Sequence, residues 1–318
     1  MLPVGIAEVR AAVPLVAPRV HRTPLVTSHS LSERLGTRVS LKLEVFQKTG
    51  SFKPRGAFNE LLHLSPEQRR HGVVGVSGGN FAQGLGYAGK ELGVPVLILM
   101  PEGTPPHYVA ATRGYGAEVE LVPSIAEAFS RAEAYQRAGR PALHPFDDPW
   151  MMAGNGTLGL EVVEDAPDLT DLFVSIGGGG LMAGVAAAVK GLLPEARVWG
   201  VETLGCHAMR LALDAGRPVE IQPASIAKTL AAPWVSPGTL AAAREWLEDV
   251  VVVPDAAAVA ALVLLLERAK VLTEPAASCT LAAAEAVRER LGEHTVLVLC
   301  GGNVTLADVA AWRERFGV

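Results

Sequence analysis

Short apolar runs rich in β-branched residues alternate along the chain with longer stretches that repeat apolar residues at helical spacing. The short runs are typical of strands, and the longer Ala, Leu, Glu and Arg-rich stretches are typical of amphipathic helices. Strands that are apolar throughout are expected where helices cover both faces of a parallel sheet. The predicted strands are 39–44, 73–77, 95–100, 117–122, 172–176, 197–201, 250–253 and 295–300, and the clearest helices are 125–138, 240–247, 256–270 and 276–291.

This alternation predicts an α/β fold with mainly parallel sheets flanked by helices. Three strands fall in quick succession within 72–124, and a second series begins within 171–202. A chain of 318 residues is long enough for two lobes, each with its own sheet. Because open parallel sheets bind ligands at the carboxyl ends of their strands, we expect the chemistry in the loops that follow the strands.

Composition narrows the class of partner. With 49% hydrophobic and 19% charged residues the chain is an ordered globular protein, and its net charge of −5 offers no attraction for nucleic acid or anionic membranes. The longest apolar run, 256–266, is too short to cross a bilayer. Cys206, Cys279 and Cys300 provide neither a disulfide framework nor a C-x-x-C metal pair. These features predict a cytoplasmic protein with a small-molecule partner.

Three glycine-rich loops follow predicted strands: 77–80 (Ser-Gly-Gly-Asn), 177–180 (four glycines) and 300–303 (Cys-Gly-Gly-Asn). One such loop is commonly a tight turn between a strand and a helix. Four successive glycines cost conformational entropy that a turn does not require, and they allow backbone amides to approach a ligand closely. Together with the positive end of the following helix, loop 177–180 predicts a phosphate site.

Two alternatives use the same loops. Residues 178–183 also fit the G-x-G-x-x-A sequence of dinucleotide sites, and Glu202 follows at the distance of a ribose-binding acid, which favours an NAD-dependent enzyme. Ser77 lies in a G-x-S-x-G sequence typical of hydrolases. The hydrolase alternative is weaker because His294 precedes its strand and would lie at the wrong end of the sheet.

Lys53 is a candidate nucleophile. Phe52 and Pro54 flank it, and Gly50 and Gly56 bracket the segment. An amine in partly apolar surroundings can have a lowered pKa and attack aldehydes. A phosphate site combined with such a lysine favours pyridoxal phosphate over NAD.

Seven segments spread over nearly the whole chain carry a family resemblance. They resemble motifs of the fold-type II pyridoxal-phosphate enzymes, specifically the serine/threonine dehydratase group that includes serine racemase. The resemblance implies a two-lobed fold like that of the tryptophan synthase β chain, with residues 1–65 and 148–318 in a large cofactor-binding lobe, 66–147 in a small mobile lobe, and no regulatory domain. The segments are 21–25, 48–53, 77–80, 153–157, 177–180, 273–276 and 300–303.

The resemblance also implies roles for individual residues. Lys53 would carry the cofactor as a Schiff base, Asn80 would bond its phenolic oxygen, and Cys300 would lie beside its pyridine nitrogen. The implied cofactor-binding set is Ser51, Phe52, Asn80, Gly177, Gly178, Gly179, Gly180, Glu274 and Cys300. The implied substrate-binding set is Ser77, Gly78, Gly79, Phe81 and Lys228.

Four positions depart from the family pattern. Gly78 replaces a serine that acts as an acid and base in racemases, and Ala208 replaces the second acid of a divalent metal site that would include Glu202. We therefore expect no divalent metal, while the resemblance stays compatible with a monovalent cation. Phe81 replaces a histidine, and Lys228 replaces an acid. These two changes favour an aromatic substrate side chain and a tuned cofactor.

The predicted function is β-elimination from a β-hydroxy-α-amino acid, which gives a 2-oxo acid and ammonia. Threonine, serine and an aryl serine such as phenylserine are the candidate substrates. The alternatives are a β-replacing synthase of the same family, an NAD-dependent dehydrogenase and a non-catalytic amino-acid sensor. We expect a homodimer.

Overall fold

The computed structural model describes residues 2–318 and contains two β-sheets. The first strand is a short edge strand that pairs antiparallel with the second. The strands are β1 (Leu25–Thr27), β2 (Arg38–Lys42), β3 (Val73–Val76), β4 (Val96–Pro101), β5 (Glu118–Val122), β6 (Ala142–Leu143), β7 (Asp171–Ser175), β8 (Arg197–Thr203), β9 (Leu247–Val253) and β10 (His294–Val298).

The larger sheet has six strands in the order β1-β2-β10-β7-β8-β9. All its pairings are parallel except that of β1 with β2. β7 and β10 are buried at every residue, as expected for central strands covered by helices on both faces. The smaller sheet has the order β5-β4-β3-β6 and is parallel throughout.

Helices cover both sheets. The largest apolar core surrounds the six-stranded sheet, and the smaller sheet has one apolar cluster on each face. The helices are α1 (Ile6–Val16), α2 (His29–Leu35), α3 (Pro54–His63), α4 (Pro66–His71), α5 (Asn80–Leu92), α6 (Pro106–Gly114), α7 (Ile125–Arg137), α8 (Pro149–Asp165), α9 (Gly180–Leu192), α10 (Ala208–Ala215), α11 (Pro237–Trp246), α12 (Asp255–Leu264), α13 (Pro275–Ala286) and α14 (Leu306–Phe316).

The predicted α/β class with mainly parallel sheets is confirmed, and the differences are local. β1 and β6 were not predicted, because strands of three and two residues are too short to show a recognisable hydrophobic pattern. The predicted helix 256–270 changes to a single π turn at Leu265–Ala269, and Lys270 then takes a positive φ of 60° that ends it. The predicted helix 276–291 ends at Ala286. No helix within residues 2–318 combines the length and apolar character needed to span a membrane.

A buried ion network joins the start of α3 to the larger sheet and to α8. Arg55 is fully buried and donates to both Glu44 and Glu161, with bonds of 2.7–2.9 Å. Lys42, also fully buried, donates to Glu161 at 2.6 Å and to the carbonyl of Thr23 at 2.8 Å. Two cations and two carboxylates therefore balance in charge, as buried ions require. The network fixes α3 two residues after Lys53.

Candidate active site

One cavity of about 600 Å³ opens where strands of both sheets end. Its wall includes residues that follow β3, β4, β7 and β10, so the carboxyl ends of these parallel strands converge on it. Ser51 is the one predicted site residue that does not line it, since its side chain is fully buried and its Oγ has no partner within residues 2–318. The predicted residues that line it are Phe52, Lys53, Ser77, Gly78, Gly79, Asn80, Phe81, Gly177, Gly178, Gly179, Gly180, Lys228, Glu274 and Cys300.

Lys53 immediately precedes α3 and extends its amine into this cavity. Its Nζ donates to the carbonyl of Pro145 at 2.9 Å and lies 5.0 Å from the ring centre of Phe52 and 5.5 Å from that of Phe81. Burial lowers the pKa of the amine to about 8, although the carboxyl groups of Glu60 and Glu274 partly oppose the shift. A substantial fraction of the neutral, nucleophilic amine is therefore present near neutral pH.

We expect the Lys53 amine to react with acylating reagents with a midpoint near pH 8, because only the neutral amine is nucleophilic and burial lowers its pKa to about that value. Competitive acetylation of the cofactor-free protein across pH, read by peptide mass spectrometry, measures this midpoint. Lys90, exposed on α5, is the internal reference measured in the same digest. A Lys53 midpoint as high as that of Lys90 would contradict the expectation.

The four-glycine loop joins β7 to the N-terminus of α9. A Cβ on Gly178 would lie 2.1 Å from the ring of Phe146, and Gly179 has a positive φ of 97°, so both positions require glycine. The amides of Gly178, Gly179, Gly180 and Leu181 have no acceptor within residues 2–318. Unpaired amides at the positive end of a 13-residue helix suit a phosphate group.

A second set of free amides lies at the N-terminus of α5. The N–H of Gly79 donates to Ser77 Oγ at 3.0 Å, which shapes the turn after β3. In the described part of the chain the amides of Gly78, Asn80 and Phe81 have no acceptor. The cavity therefore contains two helix N-termini, and both favour negatively charged groups on a ligand.

Asn80 belongs to a chain of hydrogen bonds across the cavity floor. Its Nδ2 donates to both carboxylate oxygens of Glu274, at 2.9 and 3.1 Å, and its Oδ1 accepts from Asn303 at 2.7 Å. Thr229 Oγ1 also donates to Glu274, at 2.7 Å. Burial raises the pKa of Glu274, and the hydrogen bonds from Thr229 and Asn80 partly oppose that shift. Tyr108 in α6 donates to the carbonyl of Asn303 at 2.6 Å.

Cys300 connects the end of β10 to the lysine segment. Its carbonyl accepts from the N–H of Phe52 at 3.0 Å, and Ser51 forms a β-bridge with Gly301. Its Sγ lies 3.7 Å from the carbonyl of Ala276. Burial raises the pKa of this thiol far above its ordinary value, so it is a neutral, weak hydrogen-bonding group.

The conserved sequence profile of the family described as pyridoxal-phosphate dependent enzyme matches residues 16–301. The chain belongs to this family. Pyridoxal-phosphate chemistry fits the site, since the cavity supplies a lysine amine with a lowered pKa, unpaired amides for a phosphate and a neutral thiol. The predicted family and cofactor are confirmed.

Relatives of this pyridoxal-phosphate dependent enzyme include ammonia-lyases and dehydratases. The chain is 41% identical over 301 residues to an L-threonine ammonia-lyase of Geobacter sulfurreducens, covering 93% of this chain and 75% of that protein. It is 40% identical over 303 residues to a phenylserine dehydratase of Ralstonia pickettii, covering 94% and 92%. The structure of maize serine racemase superposes with a TM-score of 0.91 at 31% identity, covering 99% and 98%. These relatives support β-elimination of hydroxy amino acids as the reaction class.

The dehydrogenase and hydrolase alternatives do not fit the geometry. Glu202 is buried, and its carboxylate accepts the N–H groups of Met209 and Arg210 at 2.9 Å, so it caps α10 instead of facing a ribose. Burial raises its pKa to about 8. His294 lies at the start of β10, 3.0 Å from Asp168, and so cannot serve Ser77 at the opposite end of the strands.

Lys228 and Phe81 differ in their surroundings. Lys228 is exposed on the cavity wall, and its side-chain amine has no hydrogen-bond partner within residues 2–318. The Phe81 side chain is only 2% exposed and packs mainly in the apolar cluster beside the smaller sheet. Their predicted effects on the cofactor and the substrate stay predictions.

Several lining residues were missed from the sequence. Thr104 follows β4, Phe129 lies on α7, and Pro145 and Phe146 follow β6. A signal was available for Thr104, because the loop after a predicted parallel strand was expected to reach the site. Phe129 and Phe146 carry no motif, and packing alone brings them here. Within residues 2–318 no three His, Cys, Asp or Glu side chains are grouped as a metal site.

Proposed function

We propose that this protein eliminates the hydroxyl group of a β-hydroxy-α-amino acid, giving a 2-oxo acid and ammonia. The observation that carries the proposal is one cavity in which the Lys53 amine faces two sets of unpaired amides. One set suits the cofactor phosphate, and the other suits the carboxylate of an amino acid. The names of the relatives support the same reaction.

Pyridoxal phosphate, when bound, supplies an electron sink that makes the substrate Cα–H bond acidic. Lys53 would hold the cofactor covalently, and its freed amine would accept the Cα proton, for which the lowered pKa is suited. Ser51, Phe52, Asn80, Glu274 and the four-glycine loop would bind and orient the cofactor.

Cys300 would face the pyridine nitrogen. A buried neutral thiol is a weak hydrogen-bonding partner, and it provides no negative charge to keep the nitrogen protonated. Cys300 would therefore provide the cofactor with a neutral partner, which suits elimination.

The substrate carboxylate would bind at the N-terminus of α5. The unpaired amides of Gly78, Asn80 and Phe81 lie there, and Ser77 and Gly79 form the turn that presents them. The helix dipole adds to their attraction for an anion.

Apolar side chains on the cavity wall favour an aromatic substrate side chain. Phe129 and Phe146 line the cavity, and Trp234 packs against Phe129 with ring centres 5.4 Å apart. Ile125, 39% exposed, adds apolar surface to the same wall. Burial of a phenyl group against this surface is expected to contribute about 2 kcal/mol.

A panel of β-hydroxy amino acids assayed for 2-oxo acid release tests the proposal. We expect phenylserine to exceed threonine in kcat/KM by roughly 30-fold, which corresponds to about 2 kcal/mol. Phe129→Ala should reduce that ratio several-fold, because it removes part of the apolar surface. Phe46→Ala is the control, since Phe46 is 55% exposed and does not line the cavity.

The panel also separates the remaining alternatives. A higher kcat/KM for threonine, unchanged in Phe129→Ala, would contradict the aryl preference but keep the elimination reaction. Binding of amino acids without ammonia release would indicate a sensor. Turnover that requires an added thiol or amine nucleophile would indicate a β-replacing synthase. Phe81→His and Lys228→Ala in the same assay test the two departures from the family pattern.

We also infer the lobe boundaries, the cellular compartment and the oligomeric state of the enzyme. Residues 66–147 include all four strands of the smaller sheet, which supports their assignment as a small mobile lobe against 1–65 and 148–318. The three cysteines are free and buried, which supports the cytoplasm as its compartment. A homodimer is proposed on the family resemblance, and sedimentation velocity would test it.

A further inference from the structure

Thr104 occupies the space that a side chain at position 78 would fill. A Cβ built on Gly78 would lie 2.6 Å from Thr104 Oγ1, closer than two such atoms can approach. Both residues line the cavity. The glycine at position 78 therefore leaves room for a hydroxyl group that comes from the loop after β4.

A turn and a proline restrict the backbone at Thr104. Its N–H donates to the carbonyl of Pro101 at 2.9 Å, which closes a turn at the end of β4. Pro105 follows directly and restricts Thr104 to extended backbone conformations. The main chain that carries the hydroxyl is thus ordered before any ligand binds, which lowers the entropy cost of using it.

Thr104 differs from the other hydroxyl groups on the cavity wall. Ser175 donates to the carbonyl of Ala276 at 2.5 Å, Thr229 donates to Glu274, and Ser77 accepts a backbone N–H. Unlike these three, the Thr104 hydroxyl takes part in no side-chain hydrogen bond within residues 2–318. Its O–H is therefore free to donate to a ligand.

We propose that Thr104 Oγ1 donates a hydrogen bond to the β-hydroxyl group that leaves the substrate. This inference rests on the proposed elimination. The substrate carboxylate is matched by the amides of Gly78, Asn80 and Phe81, and its amino group is used by the cofactor. The β-hydroxyl is the polar group that remains, and Thr104 lies beside the same amides.

The hydrogen bond stabilises charge without transferring a proton from Thr104. In the elimination the Cα–H electron pair forms the Cα=Cβ bond, and the Cβ–O pair leaves with the oxygen. The Cα proton goes to Lys53, and the Lys53 ammonium then returns one proton to the leaving oxygen, which departs as water and regenerates the neutral amine. Since negative charge grows on that oxygen as the Cβ–O bond breaks, a donor placed there lowers the barrier.

The proposal is tested by comparing substrates whose leaving groups differ in their need for a hydrogen bond. Thr104→Val keeps the shape and removes the hydroxyl, Thr104→Ser keeps the hydroxyl, and Thr104→Ala serves as a second deletion should valine disturb the turn. We expect Thr104→Val to lower kcat/KM for L-serine about 10- to 100-fold. β-Chloro-L-alanine should be almost unaffected, because chloride leaves without a proton. Thr104→Ser should retain most of the serine activity.

A binding measurement on the holoenzyme provides a readout independent of turnover. α-Methylserine has no Cα proton and cannot be eliminated, and 2-aminoisobutyrate is the same molecule without the hydroxyl. We expect isothermal titration calorimetry to show tighter binding of α-methylserine by wild type. Thr104→Val should abolish this difference, and Thr104→Ser should restore it.

The outcomes separate this inference from the proposed function. Equal losses with serine and β-chloroalanine, no loss with either, or an unchanged ratio of the two dissociation constants would overturn the role of Thr104. Failure of wild type to release a 2-oxo acid from any β-substituted amino acid would overturn the proposed elimination itself. A selective loss with serine, together with the lost binding difference, supports both.

Discussion

Lys53→Ala should abolish 2-oxo acid release, with kcat lowered at least about 10⁴-fold. The amine is proposed both to hold the cofactor and to accept the Cα proton, so one substitution removes two functions. The fold should stay intact, because the side chain makes a single hydrogen bond, to the carbonyl of Pro145. Since burial lowers the pKa of this amine to about 8, its charged form is unfavourable in the folded protein. The melting temperature of the cofactor-free protein should therefore be unchanged or higher in Lys53→Ala.

Borohydride reduction of the holoenzyme followed by peptide mapping identifies the lysine that carries the cofactor. The label should lie on the peptide with Lys53 in wild type and be absent from Lys53→Ala. Lys90→Ala, which removes an exposed amine of α5, should keep both label and activity. Stable labelling of another lysine in Lys53→Ala, with activity retained, would refute the assignment.

Arg55→Met should lower the free energy of unfolding by about 3–5 kcal/mol. Arg55 is fully buried between Glu44 and Glu161, and its loss leaves those carboxylates with Lys42 as their only cation in the network. Because the network fixes the start of α3, the variant should also bind the cofactor more weakly. Urea unfolding monitored by circular dichroism measures the first effect, and cofactor absorbance during dialysis measures the second.

Arg22→Met is the matched control for the buried network. Arg22 pairs with Glu164 and Asp165 on the surface, where ion pairs contribute at most about 1 kcal/mol. Equal losses of stability in Arg22→Met and Arg55→Met would show that the buried Arg55 network contributes no more to the free energy of unfolding than a surface ion pair.

The network also predicts an acid dependence of stability. Arg55, through its charge and its hydrogen bonds, lowers the folded-state pKa of Glu44 below the ordinary value of 4.5, despite the opposing effect of burial. The stabilisation is therefore fully present above the unfolded-state pKa and is lost as pH falls through the folded-state value. Wild type should lose stability below about pH 4.5, and the gap between wild type and Arg55→Met should narrow there. A stability difference between wild type and Arg55→Met that stays constant on acidification would contradict the role of the Arg55–Glu44 pair.

Sequence patterns predicted the α/β class, most strands and the cofactor because these features have local signatures. An apolar run in the sequence indicates a buried parallel strand, and a glycine-rich segment between a strand and a helix indicates an anion site. Both signals are independent of the rest of the chain. The sequence motif at 48–53 likewise identified Lys53 without knowledge of the residues that surround it in the folded protein. The roles of the individual site residues stay predictions, although most of them line one cavity.

The sequence by itself determined where strands, helices and anion-binding turns form, because hydrophobic period and glycine placement act over a few residues. Only the tertiary structure decided which distant groups meet. In the folded protein Arg55 is buried between carboxylates from two other segments, and Glu202 caps α10. Thr104 lies where a side chain at position 78 would be. Such contacts depend on the packing of whole sheets and helices, so no local pattern specifies them.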